Sequence, residues 1–233
     1  HFVSTNQYKK RVIQLGEESW RIKVVGSPSL DLIKSKNLLS KKQLEKKLNV
    51  EFKDDFFLVT FHPVTHELND TKNQIRSLLN ALSKFKHKIV FTAPNADNKR
   101  DNIDGEIKKF TKKNSNSCYL KNIDYNIYLS LLKYTDAVVG NSSSGIIEAS
   151  SLKTFTVNVG NRQKRREAPS SVIHCNYQTA SIVKAIKQVL SLKKNKNFKF
   201  KNPYFQNNDT SNLIYNFFNK NKNKKELLKK KFN

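Results

Sequence analysis

Ala137-Val138-Val139-Gly140-Asn141-Ser142-Ser143-Ser144-Gly145-Ile146-Ile147-Glu148 is the stretch on which the reading of this chain turns. A short β-branched run ends in glycine, crosses small polar residues to a second glycine, and enters a segment of helical period. That pattern is a strand turning directly into a helix. The neighbours repeat it. Phe57 to Phe61, Lys88 to Ala93, Cys118 to Lys121, Phe155 to Val159 and Ser171 to Cys175 read as strands. Thr71 to Phe85, Ile103 to Lys112, Tyr125 to Lys133, Gly145 to Leu152 and Thr179 to Leu192 read as the alternating helices. Strands of this kind separated by helices predict an α/β fold: a Rossmann-like, doubly wound parallel sheet.

The flanks read differently. Residues 1–24 offer a strand at Phe2 to Ser4, a helix over Asn6 to Leu15 and a turn at Gly16 to Ser19, too little for a domain. Val24 to Leu30 follows as strand, turn and helix start, with Pro28 near the first helical position. We read 1–24 as the closing element of an N-terminal domain outside this sequence, which contains no methionine and opens on His1. Residues 25–192 are then the C-terminal domain. Residues 193–233 form a basic tail, in which the aromatic stretch from Tyr204 to Phe218 predicts a helix that docks on the fold.

The 233 residues carry a net charge of +25, which first suggests a nucleic acid or an acidic surface as partner. Of the 44 basic residues 37 are Lys and seven are Arg, and Asn adds 28 more. Arginine, the usual reader of phosphates and bases, is therefore scarce, and the Lys and Asn excess reads as codon bias. A solvated basic tail is favoured over a nucleic-acid or membrane contact. Two cysteines, Cys118 and Cys175, frame no disulfide scaffold or four-ligand zinc site, so a cytoplasmic setting is the expectation. No apolar run approaches the ~20 residues of a membrane span.

In an open parallel sheet, ligands sit beyond the carboxyl ends of the strands. There the chain places the Asn141 to Ser144 turn, whose hydroxyls and amide groups suit a phosphate, and Glu148, whose carboxylate suits ribose hydroxyls. A serine-rich cap with a helix-complementing Glu explains the same residues without a ligand. His62-Pro63-Val64-Thr65-His66 follows another strand, and His62 there can contact a diphosphate or move a proton. His62 and His66 have metal-pair spacing, but Pro63 opposes a helix and no further ligand lies nearby, so no metal is expected. Pro94-Asn95 could set an amide near a ribose or base. Gly160-Asn161-Arg162-Gln163-Lys164-Arg165-Arg166 gathers three of the seven arginines, a pattern for anions. Neither a P-loop nor a Gly-x-Gly-x-x-Gly fingerprint occurs.

Tyr8 to Glu17, Val25-Gly26-Ser27-Pro28, Phe61 to Thr65, Gly140 to Ala149, and Arg162-Gln163-Lys164 running on to Ser171-Val172-Ile173 stand in an order that resembles the hydrolysing UDP-N-acetylglucosamine 2-epimerases. Non-hydrolysing relatives show His-Arg-Arg-Glu-Asn in place of the His62 segment and Asp-Ser-Gly-Gly in place of Asn141 to Ser144. The resemblance implies the C-terminal half of a two-domain, glycosyltransferase-B-like fold, with a UDP-sugar as substrate and no cofactor. It implies that Ser142 and Ser143 bind the diphosphate and that Glu148 binds the ribose. His62 would hold the phosphates and assist their departure, Asn95 and Arg162 would complete the nucleotide site, and the segment from Lys121 and Asn122 to Tyr128 would frame the uracil. It further implies elimination of UDP to a glycal, hydration to N-acetylmannosamine, a role in sialic or nonulosonic acid synthesis, and a homodimer formed through the N-terminal half. The family's acid and base carboxylates would lie in that half, so this chain is expected to bind UDP weakly and turn over nothing. Where the family has Gly, the chain has Arg165. A 2,4-diacetamido-sugar epimerase, a glycosyltransferase of the same architecture and a basic nucleic-acid-binding module are the rival readings.

Overall fold

The structure is a computed structural model that describes residues 1–35, 37–52, 55–94, 100–224 and 229. The chain divides into two compact units, one of His1–Lys36 with Asn202–Asn233 and one of Asn37–Lys201.

The larger unit contains six parallel strands: β3 (Phe56–Thr60), β4 (Lys88–Thr92), β5 (Ser117–Leu120), β6 (Ala137–Gly140), β7 (Thr156–Val159) and β8 (Val172–Cys175). Their spatial order is β5-β4-β3-β6-β7-β8, so the chain winds outward first in one direction from β3 and then in the other from β6. This is the doubly wound order expected from the alternating pattern. All five residues of β3 are buried, as a central parallel strand covered on both faces requires. Successive residues face opposite sides. Phe57, Val59, Val139, Val157 and Val159 pack into one cluster with Ile75 and Leu78 of α4 (Thr71–Leu82) and Ile182 and Ile186 of α8 (Thr179–Lys193). Leu58, Val90 and Val138 are equally buried but stand outside that cluster. On the latter side α6 (Tyr125–Tyr134) packs with α3 (Lys41–Leu48), whereas α5 (Arg100–Lys113) packs beside α4 and adds Ile103 and Ile107 to the first cluster.

Three readings need correction. The helix expected over Gly145 to Leu152 is broken: α7 covers only Ser144–Ile147, and a 3-10 turn at Ala149–Leu152 follows, with Glu148 at the joint. Helix α3 was not anticipated, because its lysine-rich surface hides the apolar stripe of which Leu44 is the buried member. Nor is the segment after α8 a solvated tail throughout. Phe198 and Phe200 reach Phe155 with ring centroids 4.7 and 4.9 Å away, anchoring the segment on either side of Lys199.

In the smaller unit, β1 (Phe2–Val3) pairs in parallel with β2 (Lys23–Val24), joined by α1 (Asn6–Gln14). Helix α2 (Pro28–Ser35) starts at Pro28, where the missing N–H costs nothing. The aromatic C-terminal stretch forms α9 (Thr210–Asn221), whose Phe217 and Phe218 rings lie 5.5 and 5.3 Å from that of Phe2. The Asp31 carboxylate of α2 accepts from the Thr210 and Ser211 amides at 3.0 and 3.2 Å, capping α9 from a distant part of the sequence. Packing therefore changes at 36/37 and 201/202, because α2 and α9 hold each other, whereas composition had suggested 24/25 and 192/193.

Candidate functional site

The two directions of winding part between β3 and β6, and the crevice beyond their carboxyl ends is where such a sheet accepts a ligand. Gly140 ends β6 with φ +142 against the backbone of Thr60; a β-carbon there would stand 2.1 Å from the Thr60 carbonyl oxygen. The next residue, Asn141, is fully buried and ties the two strand ends together. Its amide N–H donates to the Thr60 carbonyl at 3.1 Å, its Oδ1 accepts from the His62 N–H at 2.7 Å, and its Nδ2 donates to the His62 carbonyl at 2.8 Å. Arg162 Nη1 and Gln163 Nε2 both donate to the Asn141 carbonyl, at 3.1 and 2.8 Å. Three segments distant in sequence are thus locked at one point.

Beside this brace lies a cavity of about 650 Å³. His62, Lys121, Asn122, Tyr128 and Ser142, all singled out from the sequence, line it, and Thr60, Thr92, Tyr125 and Ser144 contribute further polar walls. Side-chain oxygens of Thr60 and Thr92 lie 2.5 Å apart across β3 and β4. The Tyr128 and Ser144 hydroxyls are buried with no hydrogen-bond partner among the described residues. Burial pushes the Tyr128 phenol above its ordinary range. The Ser144, Thr60 and Ser142 hydroxyls nearby only partly oppose that push, and none meets the phenol in hydrogen-bonding geometry. Unmet hydroxyls in a polar recess are what an oxygen-rich ligand would satisfy.

The remaining expected residues stand differently. Ser143 does not line the cavity but starts α7, its carbonyl accepting from the Ile146 and Ile147 amides. The broken helix also consumes part of the expected anion cradle. Ser144 N–H donates to the Ser142 hydroxyl and Gly145 N–H to the Ser142 carbonyl, so these groups are engaged locally. Glu148 is 7% exposed and lies behind Tyr125, whose hydroxyl donates to its Oε1 at 3.4 Å. Arg162 reaches the brace and not the cavity. Asn95 lies outside the described residues. The brace itself was missed, because what an Asn side chain bonds to depends on a β3–β6 pairing that no local pattern announces. Asp124, which caps α6 by accepting from the Ile127 N–H at 2.8 Å, could have been found from its position before an apolar helix.

Asp55, His87 and Asp136 form a group of metal-ligand type in which neither His62 nor His66 takes part. It precedes β3, β4 and β6, on the edge opposite the cavity, and Lys193 pairs with Asp136 there. Among the described residues no helix is long and apolar enough to cross a membrane.

Arg165 adopts φ 72, the left-handed conformation that suits the glycine expected at this position. The turn thus keeps its shape and the arginine bears the strain. Arg165→Gly is expected to raise stability by about 1 kcal/mol, read as a melting temperature about 2–4 °C higher. A lower melting temperature would mean that the guanidinium makes a compensating contact.

Residues 1–219 match the family described as UDP-N-acetylglucosamine 2-epimerase. The chain is 41% identical over 175 residues to the GDP/UDP-N,N'-diacetylbacillosamine 2-epimerase (hydrolyzing) of Campylobacter jejuni, covering 74% of this chain and 46% of the relative. It is 39% identical over 233 residues to the polysialic acid biosynthesis protein P7 of Escherichia coli, covering 96% and 58%. The chain therefore spans about half the length of these curated relatives. In fold it resembles the UDP-GlcNAc 2-epimerase of Neisseria meningitidis solved with UDP-GlcNAc, with a TM-score of 0.67 at 21% identity over 95% of this chain and 60% of that one. It also resembles the Methanocaldococcus jannaschii enzyme solved with UDP-GlcNAc and UDP, with a TM-score of 0.70 at 20% identity over 94% and 60%. Motif order, sheet topology and this match agree, and the chain belongs to the UDP-N-acetylglucosamine 2-epimerase family.

Proposed function

We propose that the cavity beside His62 takes the nucleoside diphosphate of a UDP-sugar, and that the chain supplies this half of a hydrolysing 2-epimerase that converts UDP-N-acetylglucosamine to N-acetylmannosamine and UDP. The observation that carries the reading is the meeting of His62, Ser142 and Tyr128, with the unmet Tyr128 and Ser144 hydroxyls, in one recess at the switch point. In the proposed reaction a base takes the C2 proton, the C1–O bond breaks, and its electron pair leaves on the β-phosphate of UDP. Water then adds across the resulting glycal, hydroxyl to C1 and hydrogen to C2 from the other face.

This chain's own share is to hold and neutralise the leaving group. His62 and Ser142 face the diphosphate, with Ser143 at the start of α7 behind them. Glu148 binds the ribose once Tyr125 moves aside, and the Lys121 to Tyr128 wall frames the base. Arg162, with Asn95, completes the nucleotide site, Arg162 acting through the Asn141 brace. Donors fixed in place before the charge develops stabilise it without reorganising. The base and acid carboxylates are assigned to the half of the protein outside this sequence. An N,N'-diacetylbacillosamine-type sugar is the second reading of the substrate, supported by the name of the Campylobacter relative.

The test is a calorimetric titration of the 233-residue chain with UDP. Weak saturable binding is expected, reduced by at least about tenfold in His62→Ala and in Ser142→Ala. UDP-N-acetylglucosamine incubated with the chain alone should release no UDP. Binding indifferent to both substitutions would move the nucleotide elsewhere, and release of UDP would place the carboxylates within these 233 residues.

A further inference from the structure

The loop after β7 splits its side chains between two places. Arg162 and Gln163 turn to the Asn141 carbonyl, while Lys164, Arg165 and Arg166 line a separate recess of about 460 Å³ beyond the ends of β7 and β8. This recess shares no lining residue with the cavity beside His62. None of the three consecutive cations makes an ion pair among the described residues. One carboxylate, that of Glu67, accepts from Asn161 Nδ2 of the lining at 3.3 Å, and three cations crowded on a concave surface outnumber it and focus a positive potential into the recess.

The recess also offers neutral groups of fixed polarity. Gln163 is 2% exposed and lines it; its Nε2 is spent on Asn141, and its Oε1 is buried with no hydrogen-bond partner. That oxygen calls for a donor. His174 accepts at Nδ1 from Asn158 Nδ2 at 3.0 Å, and the Asn158 amide is oriented by a second contact to the Gly160 carbonyl at 3.4 Å. The proton of a neutral His174 therefore sits on Nε2, and burial, which pushes its pKa below the ordinary value, favours the neutral form. Tyr177 packs on Gly160, which lines the recess: a β-carbon on Gly160 would meet its ring at 2.0 Å.

We propose that this recess is a second binding site, for a small polyhydroxylated molecule bearing one oxyanion group, such as a sugar phosphate or a sugar acid. The oxyanion meets the Arg165 and Arg166 guanidinium groups, a ligand hydroxyl donates to Gln163 Oε1, and His174 Nε2–H donates to a ligand oxygen. The volume suits a single sugar ring with its charged group. The proposal does not rest on the nucleotide assignment, because the two recesses are lined by different residues.

The test titrates the chain with glucose 6-phosphate in one arm and glucuronate in the other, by calorimetry and by the imidazole ¹⁵N resonances of its five histidines. Saturable binding with a shift of the His174 resonances is expected in at least one arm, and the tighter arm identifies the anion. The double variant Arg165→Gly with Arg166→Ala should weaken that binding by at least about tenfold. Glycine suits φ 72, so the first substitution relieves the turn, and an unchanged circular dichroism spectrum certifies the fold. Ser142→Ala should leave the binding unchanged. No saturable binding of either compound at millimolar concentration overturns the proposal, as does binding indifferent to the double variant. Loss of binding in Ser142→Ala overturns it too, by showing that the anion uses the larger cavity.

Discussion

Gly140→Ala is expected to destabilise the chain by at least about 4 kcal/mol, a large part of the roughly 5–15 kcal/mol that holds a domain together. The added methyl would stand 2.1 Å from the Thr60 carbonyl oxygen and 2.9 Å from its carbon, and both belong to backbone fixed in the centre of a parallel sheet. Neither strand can retreat without breaking the ladder to β4 on one side or to β7 on the other. The φ of +142 adds a conformational cost that only glycine escapes. For a chain of this size the melting temperature should fall by about 8–16 °C, with loss of soluble protein on expression. Gly105→Ala supplies the control. It lies in α5 with nothing within 4 Å of the added carbon, and should stabilise by about 0.5–1 kcal/mol. A Gly140→Ala protein melting within about 2 °C of the parent would mean that β3 and β6 do not approach as described.

The second large effect is expected at Asn141, which touches no ligand in our assignment. Asn141→Ala strips partners from the His62 N–H and C=O, both of which it satisfies now, at a cost of about 2–4 kcal/mol. It also frees the segment that carries His62 into the cavity. UDP affinity should therefore fall by at least about tenfold even under conditions where the variant is fully folded. Asn141→Asp should not rescue it. The aspartate can still accept from the His62 N–H, but it turns a second acceptor toward the His62 carbonyl and buries a charge. Unaltered UDP affinity in a folded Asn141→Ala protein would reduce the brace to a stability device.

How far these features could be read beforehand varies with how local their causes are. The strands of the large sheet were legible because each is an apolar run cut off by small or polar residues. That they form a doubly wound parallel sheet followed from the alternation with helices, while their spatial order came only from the structure. Helix α3 was missed although Ser40 and Gln43 form a capping box, the Ser40 hydroxyl accepting from the Gln43 N–H and the Gln43 side chain from the Ser40 N–H. The start signal stands in plain sight, but Leu44 is the one buried member of its apolar stripe, too little to announce the helix by period. The break in the α7 segment was harder to see. It ends at Lys153 with φ 58, a left-handed residue that no glycine announces. His62 and Ser142 stood out because strand ends are where ligands bind, whereas Tyr128, which lines the same cavity from α6, came only from the family resemblance. The recess at the ends of β7 and β8 was half found: its arginines stood out, whereas Gln163 and His174 gain their meaning only once β7 and β8 are paired.

The pairing of β3 with β6 joins Phe57 to Ala137, across 80 residues of chain, whereas β3 meets β4 after about 32. Contacts between distant segments wait on loop closure, and their neighbours form sooner. The crevice at the switch point is therefore formed by the longest-range strand pairing of the six-stranded sheet. Until β6 arrives, the His62 backbone lacks the two bonds to Asn141 and the edge of β3 is open to other strands. A ligand that grips both sides of the crevice would select the completed sheet and act as a folding brace for the larger unit.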